Sequence, residues 1–112
     1  MTEAFEALAS LDKIVHEPAR LALLTALSAC RSADFLSLQR LTGLTKGNLS
    51  THLSRLEEAG LIEIEKQFVG KKPNTLLRLT HQGRIAIERY WQQLESLHQA
   101  AQQWQPEDQD KA

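Results

Sequence analysis

Cysteine is almost missing from this 112-residue chain. A single thiol, Cys30, excludes an internal disulfide framework and any multi-cysteine metal cluster. Its place at the end of an apolar helical run predicts a small buried thiol, not a reactive one. No uninterrupted apolar run reaches membrane-spanning length and the N-terminus is acidic, so neither a membrane span nor a signal peptide is expected. A cytoplasmic protein is the default. With five glycines and three prolines, the chain is neither fibrous nor of low complexity. The signatures of catalysis are also absent: no HExxH, no Ser-His-Asp order, no phosphate-binding glycine loop. The adjacent acids Glu57 and Glu58 are neighbours on a helix and point in different directions. No enzyme is expected. His16, His52, His81 and His98 are scattered over the predicted elements, so no metal or other cofactor is expected.

An excess of positive charge is lacking as well, since the formal net charge is −1. The distribution carries more information than the sum. Between Arg31 and Arg89 stand ten Arg or Lys against six Asp or Glu, a local balance of +4. The acidic excess lies outside, in Glu3, Glu6, Asp12, Glu17, Glu95 and the terminal Glu107, Asp108 and Asp110. A basic middle between acidic ends suits a compact reader of nucleic acid. Length and a hydrophobic content of 42% fit one ordered domain with a modest core.

The most informative stretch runs from Leu38 to Gly60. Residues Asp34 to Leu41 carry Phe35, Leu38 and Leu41 on one side, as a short helix does. Thr42-Gly43 breaks that pattern, with Gly43 suited to a turn at positive φ. Thr45, a predicted N-cap, restarts a helix through Ala59 whose leucines at 49, 53 and 56 form one buried stripe. Its remaining face offers Lys46, Asn48, Ser50, Thr51, His52 and Arg55, short-chained, hydrogen-bonding and basic. A helix lying in a major groove requires such a face. The pair reads as a helix-turn-helix. The same spacing also fits small helical proteins that never touch DNA.

Upstream, residues 2–15 form a first helical pattern with Ala4, Leu8, Leu11 and Val15 on a stripe. Pro18 opens a second helix running to about Ala29, rich in leucine. Arg20 is read as a solvated or salt-bridged end, and Arg31 to Asp34 as a polar loop. Downstream, Gly60 is a natural C-cap. The Glu57–Glu58 pair sits unfavourably for the helix dipole, with Arg55 or Arg84 as possible partners. From Leu61 the period becomes two: Ile62, Ile64 and Phe68 predict the inner face of a strand. Val69 to Asn74 is read as a loop, and Thr75 to Thr80 as the returning strand. The hairpin therefore has a basic tip, with Lys71 and Lys72 able to reach phosphates. Thr80 is the predicted N-cap of a last helix on which Gly83, Ile87, Tyr90, Leu94, Leu97, Ala101 and Trp104 recur at spacings of four and three. Trp91 and His98 flank that seam. Such a helix is too long for so small a domain, and its distal half needs a partner, a second copy being the most economical. Packing against residues 2–15 is the intramolecular alternative, and both can hold. Residues 105–112 are polar and acidic and are expected to be disordered.

This order of elements resembles the winged-helix bacterial transcriptional regulators, with closest likeness to small proteins related to the MarR and ArsR groups. The residues that carry it are Leu41-Thr42-Gly43-Leu44-Thr45-Lys46-Gly47-Asn48-Leu49-Ser50-Thr51-His52-Leu53, then Leu56-Glu57-Glu58-Ala59-Gly60-Leu61-Ile62, then Leu79-Thr80-His81-Gln82-Gly83-Arg84. The likeness spans roughly residues 14 to 100. It implies a mainly α fold with a small β-hairpin wing, in one domain over residues 1–104. Residues 14–83 would be the DNA-binding core and 83–104 the dimerisation helix. It further implies a homodimer on an operator palindrome in double-stranded DNA, usually acting as a repressor. The recognition-helix contacts would come from Thr45, Lys46, Asn48, Ser50, Thr51, His52 and Arg55, with His52, next to the buried Leu53 and expected to be partly buried, ranked below Asn48. Lys71, Lys72 and Asn74 would stand at the wing tip. The dimer interface would use Leu8, Leu11, Ile87, Tyr90, Trp91, Leu94, Leu97, Ala101 and Trp104. The cysteine pair of the metal-sensing branch is missing from the helix at Phe35 to Leu41. Any small-molecule effector would sit at the dimer interface, because one subunit has little room for a pocket. The competing class is a winged-helix protein-interaction module without DNA binding.

Overall fold

The computed structural model describes residues 2–9 and 11–106, apart from the side chains of Thr2, Ala7 and Leu8. In order, the elements are α1 (Thr2–Ala9), α2 (Pro18–Ser28), β1 (Ala33–Asp34), α3 (Phe35–Thr42), α4 (Lys46–Glu58), β2 (Ile62–Val69), β3 (Lys72–Leu79) and α5 (His81–Gln103). The three strands form one antiparallel sheet in the order β1-β3-β2.

The core is a single cluster. Leu23, Leu24 and Leu27 of α2 meet Leu38 of α3, Leu49, Leu53 and Leu56 of α4, Ile62 and Leu77 of the sheet, and Ile87 and Tyr90 of α5. Each fully buried leucine contributes about 1.5 to 3 kcal/mol relative to exposure. Short helices such as α3 and α4 would be marginal alone, so this shared burial is what holds them.

The local signals for helix ends operate as read. The Asp34 carboxylate accepts the Ser37 amide at 2.7 Å, the Thr45 hydroxyl that of Asn48 at 3.2 Å, and the Thr80 hydroxyl that of Gly83 at 2.9 Å. Gly43 ends α3 at φ 70°, a left-handed conformation open to glycine at little cost. After α4, the Leu61 amide returns to the Leu56 carbonyl at 3.0 Å and closes the helix.

The end of α4 and the start of α5 are locked together. Thr80 Oγ1 donates to the Gly60 carbonyl at 2.6 Å, and the Thr80 amide donates to the Leu61 carbonyl at 3.0 Å. A Cβ at Gly83 would overlap that same Leu61 carbonyl oxygen and lie 3.0 Å from Leu79 Cδ2. Only glycine lets α5 approach so closely, which gives the two motifs around Gly60 and Gly83 a common physical reason.

Several expectations are corrected. The first helix is described over Thr2–Ala9, short of the expected residue 15, and residues 12–15 form a turn. Asp12 competes with helix propagation by accepting the Ile14 amide on Oδ1 at 2.8 Å. Leu11 and Val15 are still buried, but from the non-helical segment that precedes α2. Leu41 is 67% exposed, because Leu38 takes the inward position and Leu41 lies about 60° away around the helix. Cys30 is exposed, one residue past the α2 C-cap, with its thiol directed at the Ala26 carbonyl. The segment Ala33–Asp34, read as loop, is a two-residue strand on β3, too short to show any periodicity. The strands also run further than expected, pairing Val69 with Lys72 and leaving only Gly70 and Lys71 as the turn. Phe68 is therefore carried beyond the core and stands 74% exposed.

Candidate nucleic-acid interface

Helix α4 divides cleanly. Leu49, Leu53 and Leu56 are buried. Opposite them, at 100° per residue, stand Gly47, Thr51, Ser54 and Glu58, with Ser50 and Arg55 to either side, all exposed. Lys46 and Asn48 are exposed on its two flanks. The first two turns of this surface carry no acid, and Glu57 and Glu58 are confined to the last turn. The Asn48 amide is occupied by the Thr45 cap while its side chain stands in solvent. Thr51 Oγ1 donates to the Gly47 carbonyl at 3.0 Å, which leaves its lone pairs facing outward. Ser50, Thr51, Ser54 and Arg55 also line a shallow open concavity of about 680 Å³, closed on one side by Ile14 from the α1–α2 turn.

Of the side chains expected on this surface, His52 is the one that turns away. Its Nδ1 lies 3.2 Å from Arg20 Nη1 and 3.6 Å from Glu17 Oε2. Arg20 itself is only 8% exposed, and its Nε donates to the Ile14 carbonyl at 2.7 Å. This guanidinium, expected at a solvated or salt-bridged end, does face Glu17 at 4.0 Å and is a buried clamp between the turn preceding α2 and the flank of α4. Glu17 completes it as N-cap of α2, accepting the amides of Ala19 and Arg20. Partial burial alone would raise the Glu17 carboxyl. The amides of Arg20 and Ala19, with nearby His52 and Arg20, outweigh that and hold it below its ordinary value.

The hairpin supplies the second part. Lys71 and Lys72 are exposed at its end, as expected. Asn74 is not at the tip: it lies within β3, opposite Gln67, and is half-buried. On one face of the hairpin Arg78 binds both acids of β2, with Nε 3.2 Å from Glu63 Oε2 and Nη2 2.9 Å from Glu65 Oε2. Hydrogen bonds donated to Glu65 and then to Glu63 raise the Arg78 pKa. Arg84, the suggested partner for Glu57 or Glu58, instead reaches the Ser28 carbonyl at 3.4 Å.

The helix-turn-helix of α3 and α4 thus presents an exposed face that is polar and basic at the N-terminal half of α4, and the hairpin presents an exposed basic tip. The profile of the winged helix DNA-binding domain family matches residues 19–98. The chain belongs to this winged-helix family. The match covers α2 through most of α5, including both the helix-turn-helix and the wing. An uncharacterized protein of Methanocaldococcus jannaschii is 33% identical over 78 residues, covering 70% of this chain and 85% of its own. Among solved structures, a transcriptional regulator homologue from Pyrococcus horikoshii superposes with a TM-score of 0.80 at 27% identity, over 88% of this chain and 97% of the other. A MarR-family regulator from Enterococcus faecalis shares the fold, with a TM-score of 0.72 at 20% identity over 88% of each chain. The winged helix is therefore that of a transcriptional regulator, as the sequence motifs imply.

The far end of α5 forms a separate surface. Ile87 and Tyr90, expected between subunits, are already buried at 1% and 4% in this chain's own core, and Leu11 is buried with them. Leu94 packs on the edge of that core. Beyond it Leu97 is half-buried, Ala101 is exposed, and Trp91 and Trp104 are 45% and 51% exposed. The Leu8 side chain and residues 107–112, part of the expected disordered tail, lie outside the described residues. No described helix is long and apolar enough to cross a membrane, and no described group of three or more His, Cys, Asp or Glu could hold a metal ion.

Sequence reading missed Gly47 and Ser54 on the outward face of α4. The helical period alone would have located them. The Arg20–His52 contact of the clamp joins residues 32 positions apart and left no local signal.

Proposed function

We propose that this regulator binds operator DNA as a homodimer and represses transcription in the cytoplasm. The observation that carries the reading is the α4 surface: its leucines are all spent on the core, and its exposed first turns are polar, basic and free of acid. Each α4 enters a major groove, with half-sites about one helical turn apart. Asn48 takes an adenine edge through its amide, and Lys46 a guanine or a phosphate. Ser50, Thr51 and Arg55 hold the backbone or contribute mixed contacts, while Lys71 and Lys72 of the wing hold phosphates. His52 serves from the side, fixing the helix to Arg20. Dimerisation uses the distal half of α5, where the apolar seam continues past the chain's own core.

The test compares two variants on a selected duplex and a scrambled duplex. Asn48→Ala should lose roughly 1 to 3 kcal/mol on the selected sequence and little on the scrambled one. Lys71→Ala with Lys72→Ala should weaken binding to both and reduce the salt slope by about two. Equal losses on both duplexes in the Asn48 variant would remove it from base reading.

A further inference from the structure

Phe68 is the most exposed large apolar side chain described, at 74%, and none of the described residues covers it. Strand alternation places it on the hairpin face that carries Ile62, Ile64 and Lys66. The first two of these reach the core, while Lys66 and Phe68 overhang it. Its cross-strand neighbour is Pro73. The turn beside them is Gly70-Lys71, with Gly70 at φ 65°. The charges around this apolar pair are of one sign: Lys66, Lys71 and Lys72 are all exposed, and no acid occurs between Glu65 and Glu88. The acids that precede it, Glu63 and Glu65, are engaged by Arg78 on the opposite face. An aromatic ring projecting from a cationic, acid-free tip is complementary to a polyanion that also offers an apolar interior. Stacked base pairs between two phosphate chains have that chemistry.

Building on the DNA-binding reading, we propose that Phe68, backed by Pro73, is a wedge that enters the minor groove beside the α4 site and partly unstacks one base step. Apolar wedges of this kind kink the duplex toward the major groove. The kink would fold DNA around α4, whose outward face occupies the adjoining major groove. Lys71 and Lys72 grip the flanking phosphates and hold the ring at the step. Phe68 then adds affinity through stacking and selects flexible pyrimidine–purine steps that no side chain of α4 touches.

The experiment uses the full chain and duplexes enriched from a random library by the wild-type protein. Permanganate, which oxidises unstacked thymines, and hydroxyl radical, which reports the minor groove, are applied to the same complex. Wild type should give hyper-reactive thymines at one step per half-site, within a minor-groove protection. Phe68→Ala should abolish the hyper-reactivity, keep the α4 footprint and lose roughly tenfold in affinity. Phe68→Leu should retain part of the hyper-reactivity. Because Phe68 is exposed, the variants should keep the wild-type circular dichroism spectrum, which checks folding independently. Unreactive thymines in the wild-type complex, or the same pattern in Phe68→Ala, would overturn the wedge while leaving DNA binding intact. Failure of the wild type to enrich any duplex would overturn the DNA-binding reading, and the wedge with it.

Discussion

Helices α4 and α5 are both amphipathic, yet their apolar stripes meet different fates. In α4 every stripe residue, Leu49, Leu53 and Leu56, is buried by the chain itself, and what remains outside is polar. In α5 the stripe is buried only through Tyr90, and its continuation ends at an exposed Trp104. A 23-residue helix is roughly 35 Å long, more than the core beneath it can cover. The completed stripe leaves a hydrogen-bonding surface free to meet a polar ligand. The incomplete one leaves apolar surface whose burial is still to be gained. On the proposed function, the first helix reads and the second joins.

The comparison breaks most severely at the junction between the two helices. Gly83→Val should cost at least about 2 to 3 kcal/mol, because the added atoms meet the Leu61 backbone carbonyl and not a side chain that can move. Urea denaturation at fixed protein concentration measures this, and a midpoint shift worth under about 0.5 kcal/mol would refute the close-packing account. Next in size is the joining surface. Leu97→Glu combined with Trp104→Glu should convert dimer to monomer, weakening self-association roughly a hundredfold through unpaired charge in an apolar contact. The folded domain should persist, since neither side chain belongs to its core. Sedimentation equilibrium decides, and an unchanged molecular mass would place the dimer contact elsewhere.

The smallest effect concerns the clamp that steadies α4. The Glu17 carboxyl is held below its ordinary value in the fold, so its stabilisation is full at neutral pH. Protonation removes that stabilisation as pH falls below the usual carboxylate range, near pH 4. Asp34, lowered chiefly by the Ser37 amide, acts in the same direction. Glu17→Gln should cost about 1 kcal/mol at pH 7 and flatten part of the acid-side decline in urea midpoint. An identical pH profile in the variant would show that Glu17 is not a source of it.

Much of this was legible in the chain. The caps at Thr45 and Thr80, the turn at Gly43 and the leucine stripe of α4 each depend on residues within a few positions, and these are the features that sequence spacing reports best. Phe68 and Leu41 were misjudged because periodicity gives the face of an element but not where the core beneath it ends. The short α1 was misjudged because a continuing apolar pattern hid the local competition from Asp12. Arg20 and His52 were out of reach for another reason. Their mutual contact is set by how the α1–α2 turn meets α4, a tertiary fact with no local trace. Of the candidate interface, the polar face of α4 was readable as a set of residues. Its true centre, at Gly47, Thr51 and Ser54, emerges only by setting each residue against the buried stripe.

The central claim is that the face of α4 opposite its leucines reads DNA while α5 pairs two copies. A salt-dependent titration tests it most directly, following wild-type protein on DNA from upstream of its own gene and on a scrambled duplex of equal length. The account predicts two protomers per site, tighter binding to the upstream DNA, and an affinity that falls steeply and linearly in log–log form with salt. A folded dimer that binds neither duplex at low salt would contradict it, and would leave the polar face of α4 without the ligand assigned to it.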